Sequence, residues 1–248
     1  RLLFITQGDS FDMNKKQSFL ELPFEFDTAR LIDDLAVVSS DDWVDHQNRS
    51  AYDGSWHVTS LTSTNGTTKQ IVAFENQTYY DTPLLKKTTY IKSVLDTFQT
   101  KIEAVRFMKL GANSTIKEHT DRGSCFDEGY ARIHIPITTN SDVEFILNGI
   151  KTKMDIGKCY YIDADAPHSV VNSGNSERVH LLIDCHINKW MKDIFKKAGF
   201  IEKTYKYDDK SINDANVDEI ISSLKALNTE ISLNMAQKLE EKKDYYVS

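Results

Sequence analysis

Hydrophobic positions recur every second residue through the middle of the chain and at helical spacing towards its ends. Residues 102–110 predict one strand and Ala131–Thr138 another. In the second, Ile133, Ile135 and Ile137 share one face, which leaves Arg132 and His134 together on the opposite face. Val143, Phe145 and Leu147 run into Asn148-Gly149, a strong short hairpin signal, with a return strand over Ile150–Met154. Cys159–Ile162 and Ser169–Val171 are further strands, joined by the loop Asp163–Pro167 that delivers His168. Beyond the turn Asn172–Asn175, Arg178, His180, Leu182 and Asp184 alternate with Val179, Leu181, Ile183 and Cys185. Upstream, Ser18–Phe26 is extended, since Pro23 excludes a helix interior. Val58–Leu61 and Gln70–Phe74 predict two strands joined across a Ser63–Thr68 loop that holds Asn65-Gly66. Many short strands with frequent turns predict a sandwich or barrel of the jelly-roll kind.

Helical spacing appears in four places. Asp27 is placed to cap a helix carrying Leu31, Leu35 and Val38. Thr82-Pro83 predicts a helix start with proline in its first position, and its stripe is Leu84, Tyr90, Ile91, Val94, Leu95 and Phe98. Trp190–Ala198 predicts a third helix, stopped by Gly199. After polar loops over Tyr205–Asn216, Ile220, Leu224, Leu227 and Ile231 predict one amphipathic helix. The charge run Lys238–Lys243 is a solvated helix face.

Composition narrows the class. The chain has 248 residues, 40% hydrophobic and 27% charged, which is ordinary for a globular protein. A formal net charge of −7 argues against a general nucleic-acid footprint. Cys125, Cys159 and Cys185 are odd in number and widely spaced, so they make neither a disulfide framework nor a zinc pattern. A reducing, cytoplasmic setting is expected. The sequence contains no apolar run long enough for a membrane span, and Arg1–Ile5 is too short for a signal peptide. The chain opens at Arg1, while Met13-Asn14-Lys15-Lys16 looks like a natural start. Residues 1–18 are therefore expected to be a leader or an added segment.

The candidate chemistry lies between His119 and Arg178. His119-Thr120-Asp121 is followed far downstream by His168, and Arg178 comes ten residues after that. Two histidines and one carboxylate are what a facial triad on non-haem iron(II) requires, leaving the opposite face of the metal for cosubstrate and oxygen. Iron-bound 2-oxoglutarate would keep its distal carboxylate away from the metal, and Arg178 offers a planar fork that matches it. Arg132 and His134 are costly on an inward face unless they bind something. His134 is expected to donate to a cosubstrate carboxylate, and Arg132 to bind an acidic group of cosubstrate or substrate. The polar and aromatic stretch His46–His57 has the character of a binding loop. Asp163 and Asp165 read as turn residues and His186 as structural, while His180 shares parity with Arg178.

These residues match a family. Lys117-Glu118-His119-Thr120-Asp121, Ala131-Arg132-Ile133-His134-Ile135-Pro136-Ile137 and the His168–Arg178 pair resemble the aspartyl/asparaginyl β-hydroxylase family. So do Trp43, His46, Tyr52-Asp53-Gly54-Ser55-Trp56 and Thr82-Pro83-Leu84-Leu85. The resemblance runs from about Phe19 to Trp190. It implies a mainly β fold with flanking helices, built on a double-stranded β-helix (cupin-like) core over 19–199, and a small helical extension over 200–248. It also implies Fe(II), 2-oxoglutarate and O2, with succinate and CO2 released on hydroxylation. His119 and His168 match the family's iron histidines and Arg178 its oxoglutarate arginine. Arg132 and His134 match a pair at the oxoglutarate and substrate end. Asp121 matches the carboxylate of the bacterial free-amino-acid branch, so the chain resembles the proline cis-hydroxylase-like enzymes more than the animal protein hydroxylase. The expected partner is a small amino-acid substrate met by Arg132, Trp56 and His57, with His46 also at the mouth. Hydroxylation of a peptide or protein side chain is an alternative. A non-catalytic jelly-roll sensor of metal or small acids, and a cupin-type isomerase needing no oxoglutarate, remain as rivals.

Overall fold

A computed structural model describes residues 17–202 and 205–245; most of the expected leader, residues 1–16, lies outside the described residues. In chain order the strands are β1 (Phe19–Glu25), β2 (Val44–Asp45), β3 (Tyr52–Asp53), β4 (Trp56–Ser63), β5 (Tyr80–Asp81), β6 (Ile102–Leu110) and β7 (Ser114–His119). They continue as β8 (Tyr130–Thr138), β9 (Val143–Leu147), β10 (Ile150–Thr152), β11 (Lys158–Ile162), β12 (His168–Asn172) and β13 (Arg178–His186). The helices are α1 (Thr28–Ala36), α2 (Thr89–Leu95), α3 (Lys189–Lys197), α4 (Val217–Leu227) and α5 (Glu230–Tyr245). The described residues up to 201 form one compact unit, and those from 202 onward fall in a second.

The first unit is a double-stranded β-helix. Its larger sheet runs β1-β11-β8-β13-β6-β4-β2, with β5 added on β4, and its smaller sheet runs β10-β9-β12-β7-β3. Met108, Leu110 and Leu182 of the larger sheet pack with Ile116, Phe145 and Val170 of the smaller one, making the core between the sheets. A second core lies on the other face of the larger sheet, where Ile133, Ile135, Ile137, Leu181 and Ile183 meet Leu31, Ile91, Val94, Met191 and Phe195. Full burial of such a side chain contributes about 1.5–3 kcal/mol. The isoleucines of β8 thereby fix its inward face as Arg132 and His134, the parity expected from the sequence.

Local chemistry sets the helix ends. Asp27 caps α1, its Oδ1 accepting from Arg30 N at 3.1 Å. Asp34 of α1 is buried and accepts from Ile91 N at 2.7 Å, so one helix caps the next. The helix predicted from Thr82-Pro83 begins only at Thr89. Thr88 bonds through its hydroxyl to the carbonyls of Leu84 and Leu85, and residues 83–87 become turns that still bury Leu84 and Leu85. No strand forms at Gln70–Phe74, and β4 pairs with β5 instead. There the polar backbone is met by side chains: Gln70 O accepts from Ser60 Oγ at 2.7 Å and Ile71 O from Arg106 Nη1 at 3.2 Å. The Asn148-Gly149 hairpin forms as predicted, both residues adopting positive φ (53° and 74°).

In the second unit, Val217 and Ile221 of α4 pack with Ala236 and Leu239 of α5 and with Tyr207. The single helix predicted through Ile231 is broken at Asn228, which takes a left-handed φ of 48°. Leu227 and Ile231 consequently stand exposed. Lys242 and Lys243 of the charge run pair with Asp208 and Asp218.

Candidate active site

Strand register assembles the site. In the smaller sheet β12 pairs antiparallel with β7, and His168 is the direct partner of His119. Asp121 follows β7 on a turn whose backbone is tied to the loop before β12, Asp121 N donating to Ala164 O at 2.8 Å. One ligand atom from each of His119, Asp121 and His168 lies within 4.8 Å of the others, among residues of mixed burial.

Both imidazoles are oriented from behind. His119 Nδ1 lies 2.8 Å from Lys117 O, and His168 Nδ1 lies 3.0 Å from Ala166 O. A carbonyl only accepts, so each Nδ1 carries a hydrogen, and in the neutral ring this leaves the lone pair on Nε2, the form a metal takes. Burial, outweighing the Ala166 contact, lowers the His168 pKa and favours that neutral state. For Asp121, burial alone would raise the pKa, but the Arg132 guanidinium outweighs it through its charge and its hydrogen bond and holds the group as a carboxylate. Two imidazole nitrogens and one carboxylate oxygen brought together in this way suit a divalent transition metal.

Asp121 is also held from the side. Arg132 Nη1 donates to Asp121 Oδ2, while Arg132 Nε donates to Asp184 Oδ1 at 2.8 Å. Asp184 also pairs with Arg106, whose Nη1 reaches Ile71 O. The result is a mostly buried chain of two carboxylates and two guanidiniums, Asp121–Arg132–Asp184–Arg106. Burial of Asp184 alone would raise its pKa, and the two arginines bring it below the usual carboxylate range. Arg132 lines the cavity, but its guanidinium is committed to two carboxylates. Those hydrogen bonds fix Asp121 and leave further N–H groups of Arg132 beside the cavity, where the sequence reading expects an acidic group to be met.

Arg178 is different. It is 4% exposed, its Nη2 lies 2.9 Å from His180 Nδ1, and its Nε has no hydrogen-bond partner among the described residues. Burial, with no carboxylate among the described residues to oppose it, lowers its pKa to about 9, so it remains a cation at neutral pH. Phe145 lies beneath the guanidinium, 5.9 Å from ring centroid to Cζ, and its ring stacks at 9° to that of His168. His134 is buried, and its Nε2 likewise has no partner among the described residues. An unpaired buried cation beside an unpaired buried imidazole nitrogen is costly unless a ligand completes it.

These groups surround one cavity of about 300 Å3. The three candidate ligands, Arg132, His134 and Arg178 all line it, as do Trp56 and His46. His46 stacks on Trp56, centroids 3.6 Å apart, and burial brings its pKa down to about 4. His57 is not placed as expected. It is absent from the cavity lining, and its Nε2 lies 3.1 Å from Asp45 Oδ1. Strand alternation explains this, because a neighbour of Trp56 on β4 points to the other face. Sequence reading assigned no role to Arg106 or Asp184. The signal was present: Asp184 shares parity with Arg178 and His180 on β13, and Arg106 is a lone cation between Val105 and Phe107.

Residues 27–187 match the sequence model of the Aspartyl/Asparaginyl beta-hydroxylase family. The chain belongs to that family. An L-proline cis-4-hydroxylase of Rhizobium meliloti (strain 1021) is 28% identical over 167 residues, which is 64% of this chain. The match spans 58% of that relative's length. Among solved structures, a 2OG-Fe(II) oxygenase family oxidoreductase from Burkholderia pseudomallei aligns over 64% of this chain and 78% of its own, at 17% identity and a TM-score of 0.47. A Pseudomonas putida prolyl-4-hydroxylase aligns over 69% of this chain and 93% of its own, at 10% identity and a TM-score of 0.43. His119, Asp121, His168 and Arg178 all fall inside the span of the family match.

Proposed function

We propose that this family member is an Fe(II)- and 2-oxoglutarate-dependent hydroxylase of a free amino acid. The observation that carries the reading is the position of Arg178, a buried cation without a carboxylate partner among the described residues, in the cavity that also holds the His119–Asp121–His168 set.

The residues present fit the cofactors. The Nε2 atoms of His119 and His168 and the free side of Asp121 would hold the iron, and Arg178 would take the distal carboxylate of 2-oxoglutarate. When bound, iron, oxoglutarate and O2 supply the oxidising chemistry, yielding succinate, CO2 and hydroxylated product. The chain's own residues do the rest. Arg132 keeps Asp121 ionised and turned to the histidines. Phe145, Ile116 and Val170 keep an apolar wall around the site, which restricts water. Trp56 and the stacked His46 form the side left for substrate. A cavity of about 300 Å3 suits small molecules. The proline cis-4-hydroxylase relative supports an amino acid as substrate, and three buried, unbridged cysteines fit a cytoplasmic setting.

The test begins anaerobically. Fe(II) and 2-oxoglutarate together should produce a weak visible charge-transfer band that Asp121→Ala removes. Absence of the band in the parent protein would sink the reading. A screen of free amino acids and short peptides, reading succinate and the gain of one oxygen atom, then separates the substrate classes. Product formed without succinate points to a cupin-type isomerase instead.

A further inference from the structure

We infer that His180 is a positioning residue, which aims Arg178 and fixes the tautomer of His134 from behind the cavity. This deepens the oxoglutarate reading and rests on it for the role of Arg178.

The deduction starts from a group that can only donate. A guanidinium has no acceptor, so the 2.9 Å contact between Arg178 Nη2 and His180 Nδ1 requires a lone pair on that nitrogen. His134 Nδ1 lies 3.3 Å from the same His180 Nδ1. Two lone pairs would repel at that distance, so His134 Nδ1 carries the hydrogen and points it at His180. A neutral imidazole has one N–H, which makes His134 Nε2 the acceptor. That Nε2 is the buried atom left without a partner among the described residues, and His134 lines the cavity. With these contacts His134 offers a lone pair to the cavity, the reverse of the donor expected from the sequence.

The neutral state of both histidines has a physical cause. Both are almost fully buried, and burial together with the Arg178 charge lowers their pKa values well below the usual histidine value. A carboxylate at position 180 would neutralise Arg178 and compete with an incoming acid. A neutral acceptor holds the guanidinium in one direction and leaves its charge unspent. His180 meets no candidate metal ligand in any described hydrogen bond, and it lies two residues from Arg178 on the same face of β13.

Two variants separate positioning from packing. Asparagine keeps an acceptor near the place of Nδ1, whereas leucine keeps bulk without one. His180→Leu should weaken 2-oxoglutarate binding to the metal-loaded protein by about tenfold, the loss of one hydrogen bond to a charged group. His180→Asn should restore most of that affinity, and metal affinity should be unchanged in both. Imidazole 15N spectra of the ligand-free parent should show His134 protonated at Nδ1, with that preference lost in His180→Leu. Equal oxoglutarate binding in parent and His180→Leu, or a His134 protonated at Nε2 in the parent, overturns the inference. A parent that binds no oxoglutarate overturns the cosubstrate reading itself. The His134 tautomer, read without ligand, still decides the His180 contact in that case.

Discussion

His119 and His168 are direct cross-strand partners on β7 and β12, with ring centroids 4.3 Å apart. Residues far apart in sequence are brought together by one register, and a slip by one residue would turn His168 to the other face of its sheet. His168→Ala should therefore reduce divalent metal affinity by more than about a hundredfold, beyond what loss of an outer partner costs. The fold should persist. Metal titration followed by fluorescence, alongside circular dichroism, checks both halves of this expectation.

Arg132 links Asp121 to Asp184. Arg132→Met removes the shared guanidinium and leaves two carboxylates close together, one of them nearly buried. Breaking a buried pair from one side costs about 3–5 kcal/mol, and Arg106 still partners Asp184, so about 3 kcal/mol is expected here. Urea unfolding of metal-free protein measures it. A midpoint unchanged from the parent would show that the chain of charges contributes nothing.

His46 makes stability pH-dependent. Its folded pKa of about 4 lies below the ordinary 6.5, so between these values the unfolded chain binds a proton that the folded chain refuses. Its contribution is full above pH 6.5 and is lost as pH falls towards 4. His46→Gln should flatten the fall in stability across that window. Melting temperatures of the metal-free protein over the range provide the check, and parallel curves for parent and variant would remove His46 as the cause.

Trp56 gives a test on the substrate side. Trp56→Phe keeps an aromatic ring against His46 but shrinks it, and should cost about 1 kcal/mol of stability. Under the proposed function, substrate KM should rise several-fold while oxoglutarate KM stays the same. Steady-state kinetics with each reactant varied in turn would expose an equal effect on both.

Much of this was legible in the sequence, for identifiable reasons. Alternation in Ala131–Thr138 separated the core isoleucines from Arg132 and His134 because β8 is buried on both faces with different chemistry on each. Asn148-Gly149 announced its hairpin because few other residues accept two successive positive φ values. Local patterns did not reveal where side chains override the backbone. Gln70–Phe74 is a short apolar run that reads as a buried strand, yet Ser60 and Arg106 satisfy the carbonyls of Gln70 and Ile71 and no sheet forms. Thr88 competes for the carbonyls that a longer α2 would need. His57 was misplaced for want of a strand register: the same alternation that puts Trp56 in the cavity turns its neighbour away. The commitment of Arg132 to Asp121 and Asp184 depends on distances that no sequence pattern encodes.

The tether between Asp121 N and Ala164 O has a mechanical consequence. It joins the turn after β7 to the loop before β12, so the two segments that carry the candidate ligands are bolted together at the backbone before any ion arrives. An ion seated there would act as a second rivet across the same seam, adding little new order to a joint already closed. Stripping it should leave the smaller sheet standing, with faster amide exchange confined to the ends of β7 and β12.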